Sequence, residues 1–192
     1  TGATPLVKDE TGIEQAIKQP QLDADWARTR INGVKSALGE QWNSELVRVA
    51  NDSTRSTADR CRALDLMMFF GPRPEVQLLV QLSSDSQAEV RAKAARLLFT
   101  SANPACGERL TAMLTDSDPL VRRVVCETYM RRGTPAPTAT LIKLLSDSDR
   151  FVAFAARRAL EQQAPQAWAR LVLDEPNGTA FCRGSVALLA TS

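Results

Sequence analysis

Histidine is absent, tyrosine occurs once (Tyr129), and aromatic residues make up only 5% of the 192 residues. Without histidine there is no Ser-His-Asp or Cys-His catalysis and no His-ligated metal. The four cysteines, Cys61, Cys106, Cys126 and Cys182, lie 45, 20 and 56 residues apart. That spacing holds no C-x-x-C, no haem-attachment motif and no zinc ribbon, so neither metal nor other cofactor is expected. No uninterrupted apolar run approaches the roughly 18 residues of a membrane-spanning helix, and membrane insertion is not expected. A dominant charge is missing as well. Twenty-four Lys+Arg face 22 Asp+Glu, a formal charge of +2, which argues against a nucleic-acid coat or an acidic disordered tail. Apolar alternation of the strand type is absent.

What is present is a repeat. Hydrophobic residues are 44% of the chain, enough for a substantial core. Three segments read alike, around Asp85-Ser86-Gln87, Asp116-Ser117-Asp118 and Asp147-Ser148-Asp149, and each leads to a valine: Val90, Val121 and Val152, 31 residues apart. One period earlier stands Asp59 and one period later Arg183. Take these five positions as zero. At +4 come Ala63, Ala94, Val125, Ala156 and Ala187; at +7 Leu66, Leu97, Thr128, Ala159 and Ala190; at +8 Met67, Leu98, Tyr129, Leu160 and Thr191. Positions 0, 4, 7 and 8 are one face of a helix, and the small +4 column marks close packing. Leu79, Leu110, Leu141 and Val172 at −11, with Leu82, Met113 and Leu144 at −8, mark a helix before each one, and Glu175 breaks the second column. Leu46 and Val49 fit these columns in the first clear unit if its turn is two residues longer. A fainter unit precedes it, with a first helix at Ile13–Ile17 and Val34, Ala37 and Leu38 in the face columns counted from Arg30.

Pro72, Pro104, Pro135 and Pro165 follow the second helices, where helices must stop. Gly71, Gly107 and Gly133 fall near the same joints and suit C-caps and turns. Asp118 before Pro119 reads as N-cap and N1; Asp149 is its equivalent and Gln87 departs from it. One such helix pair cannot bury both faces, whereas stacked pairs can. The expected fold is therefore all-α: a right-handed α-solenoid of about five to six antiparallel helix pairs. Residues 1–12 read as an N-terminal extension, 13–44 as a degenerate repeat and 45–192 as regular repeats, of which the last reads as truncated. The opening Thr1-Gly2-Ala3, with no initiating Met, and the helical pattern at 184–190 suggest a processed protein or a piece of a longer one.

The run Leu114-Thr115-Asp116-Ser117-Asp118-Pro119-Leu120-Val121-Arg122, followed by an Ala-rich helix, resembles the short HEAT-like repeats typified by phycobilisome-lyase subunits. The resemblance covers Glu45 to Ser192 well and Ile13 to Gly39 faintly. It departs where Asp59 replaces the valine, where Ala153 replaces the arginine, and in the last unit, which lacks both. It implies the fold and says little about function. The segment from Asp149 to Glu161 is also similar to HEAT-like segments of large secreted bacterial proteins that join them to a dehydrogenase-like propeller and a c-type haem domain. That likeness implies a scaffold portion, in bacteria and outside the cytoplasm.

Four groups of residues could form sites. The Asp85, Asp116 and Asp147 column with Arg91 and Arg122 reads as a structural ladder of hydrogen bonds along the stack. Repetition in every unit is what structure needs, whereas catalysis needs one site. Arg62, Lys93, Arg96, Arg123, Arg157 and Arg158 lie off the buried face of the second helices, which line the concave face in HEAT-like arrays. They either bind a partner or form a solvated face diluted by Asp65, Glu127 and Glu161. Among the cysteines only Cys106 and Cys126 face each other across one pair; they form a disulfide or remain buried thiols. Trp26, Trp42 and Trp168 flank the clear repeats, and the sequence offers too few aromatics for an aromatic cage.

No isolated set of Asp, Glu, Cys or Lys suggests catalysis, and the chain reads as a non-enzyme. The leading expectation is a non-catalytic scaffold that binds a protein, or another domain of a longer parent chain, through the second-helix ridge. The alternatives are nucleic-acid binding by the same arginines, against which the charge balance weighs, and a non-catalytic subunit of a lyase or redox complex.

Overall fold

The computed structural model describes residues 12–100 and 103–191, and among them every regular element is helical. The chain divides into two compact units, residues 1–78 and 79–192. Apart from Gly12, the expected N-terminal extension lies outside the described residues.

The first unit contains α1 (Ile13–Ile17), α2 (Asp25–Leu38), α3 (Gln41–Asn51) and α4 (Thr57–Phe70). Helices α3 and α4 fold back on each other, burying Leu46, Val49, Ala63, Leu66 and Met67 completely. The proposed boundary between residues 44 and 45 falls inside α3. That helix starts at Gln41 because Trp42 belongs to its buried face and donates from Nε1 to the Gly71 carbonyl at 2.7 Å. Asp59 is half-exposed and pairs with Lys18 at 2.9 Å, while its neighbour Arg60 is buried and donates from Nε to the Ala50 carbonyl at 2.9 Å.

In the degenerate repeat the first helix stands where the sequence placed it, but the second has another register. Ala27, Ile31 and Val34 form the buried face of α2, whereas Ala37 is exposed and Leu38 only partly covered. Counting from Ala27 rather than Arg30 puts Ile31 at +4 and Val34 at +7. The choice of Arg30 failed because Ala37 and Leu38 imitate the face columns at the helix end, where the turn at Gly39 already carries the chain away from the core.

The second unit begins within α5 (Val76–Leu82) and holds α6 (Ala88–Leu97), α7 (Pro104–Met113), α8 (Pro119–Arg132), α9 (Thr138–Leu144), α10 (Arg150–Glu161), α11 (Ala169–Leu173) and α12 (Gly178–Ala190). A short 3-10 turn, Leu98–Thr100, prolongs α6, and another, Pro165–Ala167, precedes α11. Helix α6 packs on α8, α8 on α10 and α10 on α12; α7 packs on α8, and α9 on α10. The +4 column Ala94, Val125, Ala156 and Ala187 has no solvent exposure, and Val90, Val121 and Val152 are equally buried. So are Leu110 and Leu141 of the preceding helices, each burial worth about 2 kcal/mol. In the last unit the zero position is Arg183, and Ala190 at +7 is exposed.

The connections are built from their sequence. In each of three turns an aspartate accepts the backbone N–H two residues on, at 2.9 Å: Asp85 from Gln87, Asp116 from Asp118 and Asp147 from Asp149. Asp118 then caps α8 through Leu120 N–H, and Asp149 caps α10 through Phe151 and Val152 N–H. Gln87 gives α6 no side-chain cap. Gly71 and Gly133 close α4 and α8 with φ of 66° and 65°, a conformation that favours glycine. Gly107 does not close a helix. Asn103 caps α7 and Pro104 takes its first turn, so the helix has already begun and Gly107 lies inside it.

Candidate functional site

The Asp/Arg columns form a continuous hydrogen-bonded chain. Arg91 donates from Nε and Nη2 to the two oxygens of Asp116 at 2.9 and 2.7 Å, and from Nη1 to the Asp85 and Ser86 carbonyls. Arg122 repeats this one unit on, reaching Asp147 at 2.8 and 2.9 Å and the Asp116 and Ser117 carbonyls. Each arginine thus fastens its own turn with one nitrogen and the next unit's turn with a two-pronged carboxylate contact. Burial alone would raise the Asp116 and Asp147 carboxyls. The hydrogen bonds from Arg91 and Arg122 and from the turn N–H groups outweigh it and hold both below the usual carboxylate range. After Asp147 the pattern ends: Ala153 stands in the arginine column and Gly178 in the aspartate column, so donor and acceptor are lost together. Arg183 instead donates to the Leu145 carbonyl at 2.6 Å.

The ridge arginines are distributed unevenly. Arg62, on α4, borders an open hollow of about 670 Å³ together with Leu22, Asp23, Asp65 and Phe69. In the second unit Arg96 of α6 and Arg123 of α8 approach Glu127 at 3.9 and 3.6 Å. Arg123 Nε has no hydrogen-bond acceptor there. On α10, Arg157 lies 3.3 Å from Glu161, which Arg158 also contacts. Lys93 stands half-buried on α6.

Sequence reasoning passed over the aromatic part of this surface. Phe151 and Phe154 are 49% and 56% exposed. The Arg150 guanidinium lies 4.6 Å from the Phe151 ring centroid and Arg123 6.0 Å from it, while Arg157 lies 5.3 Å from the Phe154 centroid. The signal was available: Phe151 and Phe154 occupy positions −1 and +2 beside Val152, which point away from the buried 0/4/7/8 face, and Phe154 takes the column of Arg123.

Cys106 and Cys126 are free thiols without solvent exposure, so the proposed bridge is not formed in this structure. Burial pushes the Cys126 thiol up to about 12. Cys61 is partly covered and Cys182 exposed. Trp42 and Trp168 are core residues, and Trp26 is exposed. No helix among the described residues is long and apolar enough to cross a membrane.

Stacked helix pairs with a repeated buried face define the class: an all-α solenoid of HEAT-like repeats, an architecture generally used for protein interaction. The family of HEAT repeats matches residues 76–161, the stretch from α5 to the end of α10. YibA of E. coli, a solved structure, superposes with a TM-score of 0.51 at 20% identity, over 81% of this chain. The chain spans 62% of YibA's length, and at this identity the likeness concerns the fold. A search of the curated proteins gave no match.

Proposed function

We propose that the chain is a non-catalytic scaffold that binds a protein, or another domain of a longer parent chain, through the exposed side of α8 and α10. The observation that carries this reading is the pair of solvent-exposed phenylalanines framed by arginines. Exposed aromatic and arginine side chains are the types enriched where interfaces concentrate their binding energy. The first helices α7 and α9 bury Leu110, Met113, Leu141, Ile142 and Leu144, and the Asp/Arg ladder is consumed in joining repeats. Arg96, Arg123, Arg157 and Arg158 contribute orientation and charge around the aromatic patch.

Placing the photoreactive residue p-benzoylphenylalanine at Phe154, and separately at the exposed Glu108 of α7, tests the surface in cells. Discrete protein adducts, or intramolecular adducts within a longer parent chain, are expected from position 154 and not from 108. Equal labelling from both positions would remove the proposed surface.

A further inference from the structure

We propose that the α8–α10 surface is built for an acidic segment in which carboxylates flank an apolar side chain. This rests on the protein-binding reading above and adds the chemistry of the partner.

The first observation is the state of the guanidiniums. Arg150 is exposed and pairs with no carboxylate among the described residues; its only recorded contact is the Phe151 ring, 4.6 Å away. An arginine stacked on a ring uses its flat face and keeps its in-plane N–H groups free, and those groups match a carboxylate in two-pronged fashion. Arg123 approaches the same ring at 6.0 Å; it is ion-paired with Glu127 at 3.6 Å, and its buried Nε makes no hydrogen bond there. Cationic donors therefore stand at Phe151 from two helices.

The second observation is the apolar area between them. Phe151 and Phe154 lie three residues apart on α10, one turn of the helix, and both are about half exposed. Arg157 covers part of Phe154, leaving the remaining ring surface open to an aliphatic or aromatic side chain. Arginine on either side of an open aromatic patch fits a segment of the opposite sign with an apolar centre.

The third observation separates a peptide from a nucleic acid. Glu127 sits between Arg96 and Arg123, and Glu161 between Arg157 and Arg158, so fixed carboxylates interrupt the arginines at two points. A phosphate backbone carries a charge at every step and gains from an unbroken cationic track. A peptide with carboxylates only beside its apolar residue can place one at Arg150, which no carboxylate among the described residues neutralises, and needs no unbroken track past Glu127 and Glu161.

The test measures fluorescence anisotropy of the full chain with three labelled probes: a short Glu/Leu peptide, the same peptide with Lys for Glu, and single-stranded oligo-thymidine. The Glu/Leu peptide should bind at least about tenfold more tightly than either other probe, and Phe154→Ser and Arg150→Glu should each weaken it about fivefold or more. Both sites are exposed, and an unchanged circular-dichroism melt confirms that the variants fold. No binding of the Glu/Leu peptide, equal binding by wild type and both variants, or tighter binding of oligo-thymidine would each overturn the proposal. Protein adducts at position 154 alongside failed peptide binding would overturn only the acidic chemistry and leave the protein-binding reading standing; absent adducts would remove both.

Discussion

Arg122 ties three backbone or carboxylate groups at once, and its role depends on shape as well as charge. Its side chain is 15% exposed and that of Asp147 is 8% exposed, so the pair is largely shielded from solvent. Lysine at this position keeps the charge but loses the planar fork. Arg122→Lys is expected to lower stability by about 1–2 kcal/mol, measured by urea denaturation. Stability equal to wild type would mean that only the charge matters. A second residue constrains the last helix pair. A Cβ on Gly184 would lie 2.5 Å from Val172 Cγ1 and 2.8 Å from its Cγ2. Gly184→Ala should therefore cost about 1–3 kcal/mol, seen as a lower melting temperature. The same alanine at Gly107, where nothing lies within 4 Å, should be neutral or slightly stabilising.

At the scale of elements, the turns are the acid-sensitive part. Asp116 and Asp147 are held below their ordinary range in the folded chain, so they contribute stability above the unfolded carboxylate range. That contribution is lost as pH falls through the range and then through the lower folded values. Melting temperature should fall on acidification from about pH 5 to about pH 3, and more shallowly in the Asp116→Asn/Asp147→Asn variant. Parallel curves would show that other groups carry the acid loss. Helices α8 and α10 were readable because two signals agreed: the apolar columns fixed the face, and Asp118 and Asp149 fixed the start. In α6 the apolar column sufficed without a side-chain cap, whereas a helix lacking both signals lost its register. Helix α2 has no side-chain N-cap and no unbroken column, so its end was mistaken for its face. Gly107 misled because its spacing suited a joint, while the neighbouring Asn103-Pro104 start puts it within α7.

For the whole molecule, the repeat made the architecture legible from five related segments, since a period fixes both the helix pair and its stacking. The candidate surface was only half legible. Its arginines could be found as outward positions on second helices, but Phe151 and Phe154 were not recognised as partners of Arg150, Arg123 and Arg157. Period analysis rewards what recurs, and the phenylalanines occur in one unit alone. A binding surface on a repeat protein is built from such departures, whereas the recurring Asp/Arg ladder joins the repeats. The most direct measurement is the affinity of the partner recovered by crosslinking at position 154 for a chain carrying Arg96→Glu, Arg123→Glu and Arg158→Glu, with melting temperature measured alongside. The account predicts a fold that stays intact and an affinity at least about tenfold weaker. Undiminished affinity in a folded variant would contradict it.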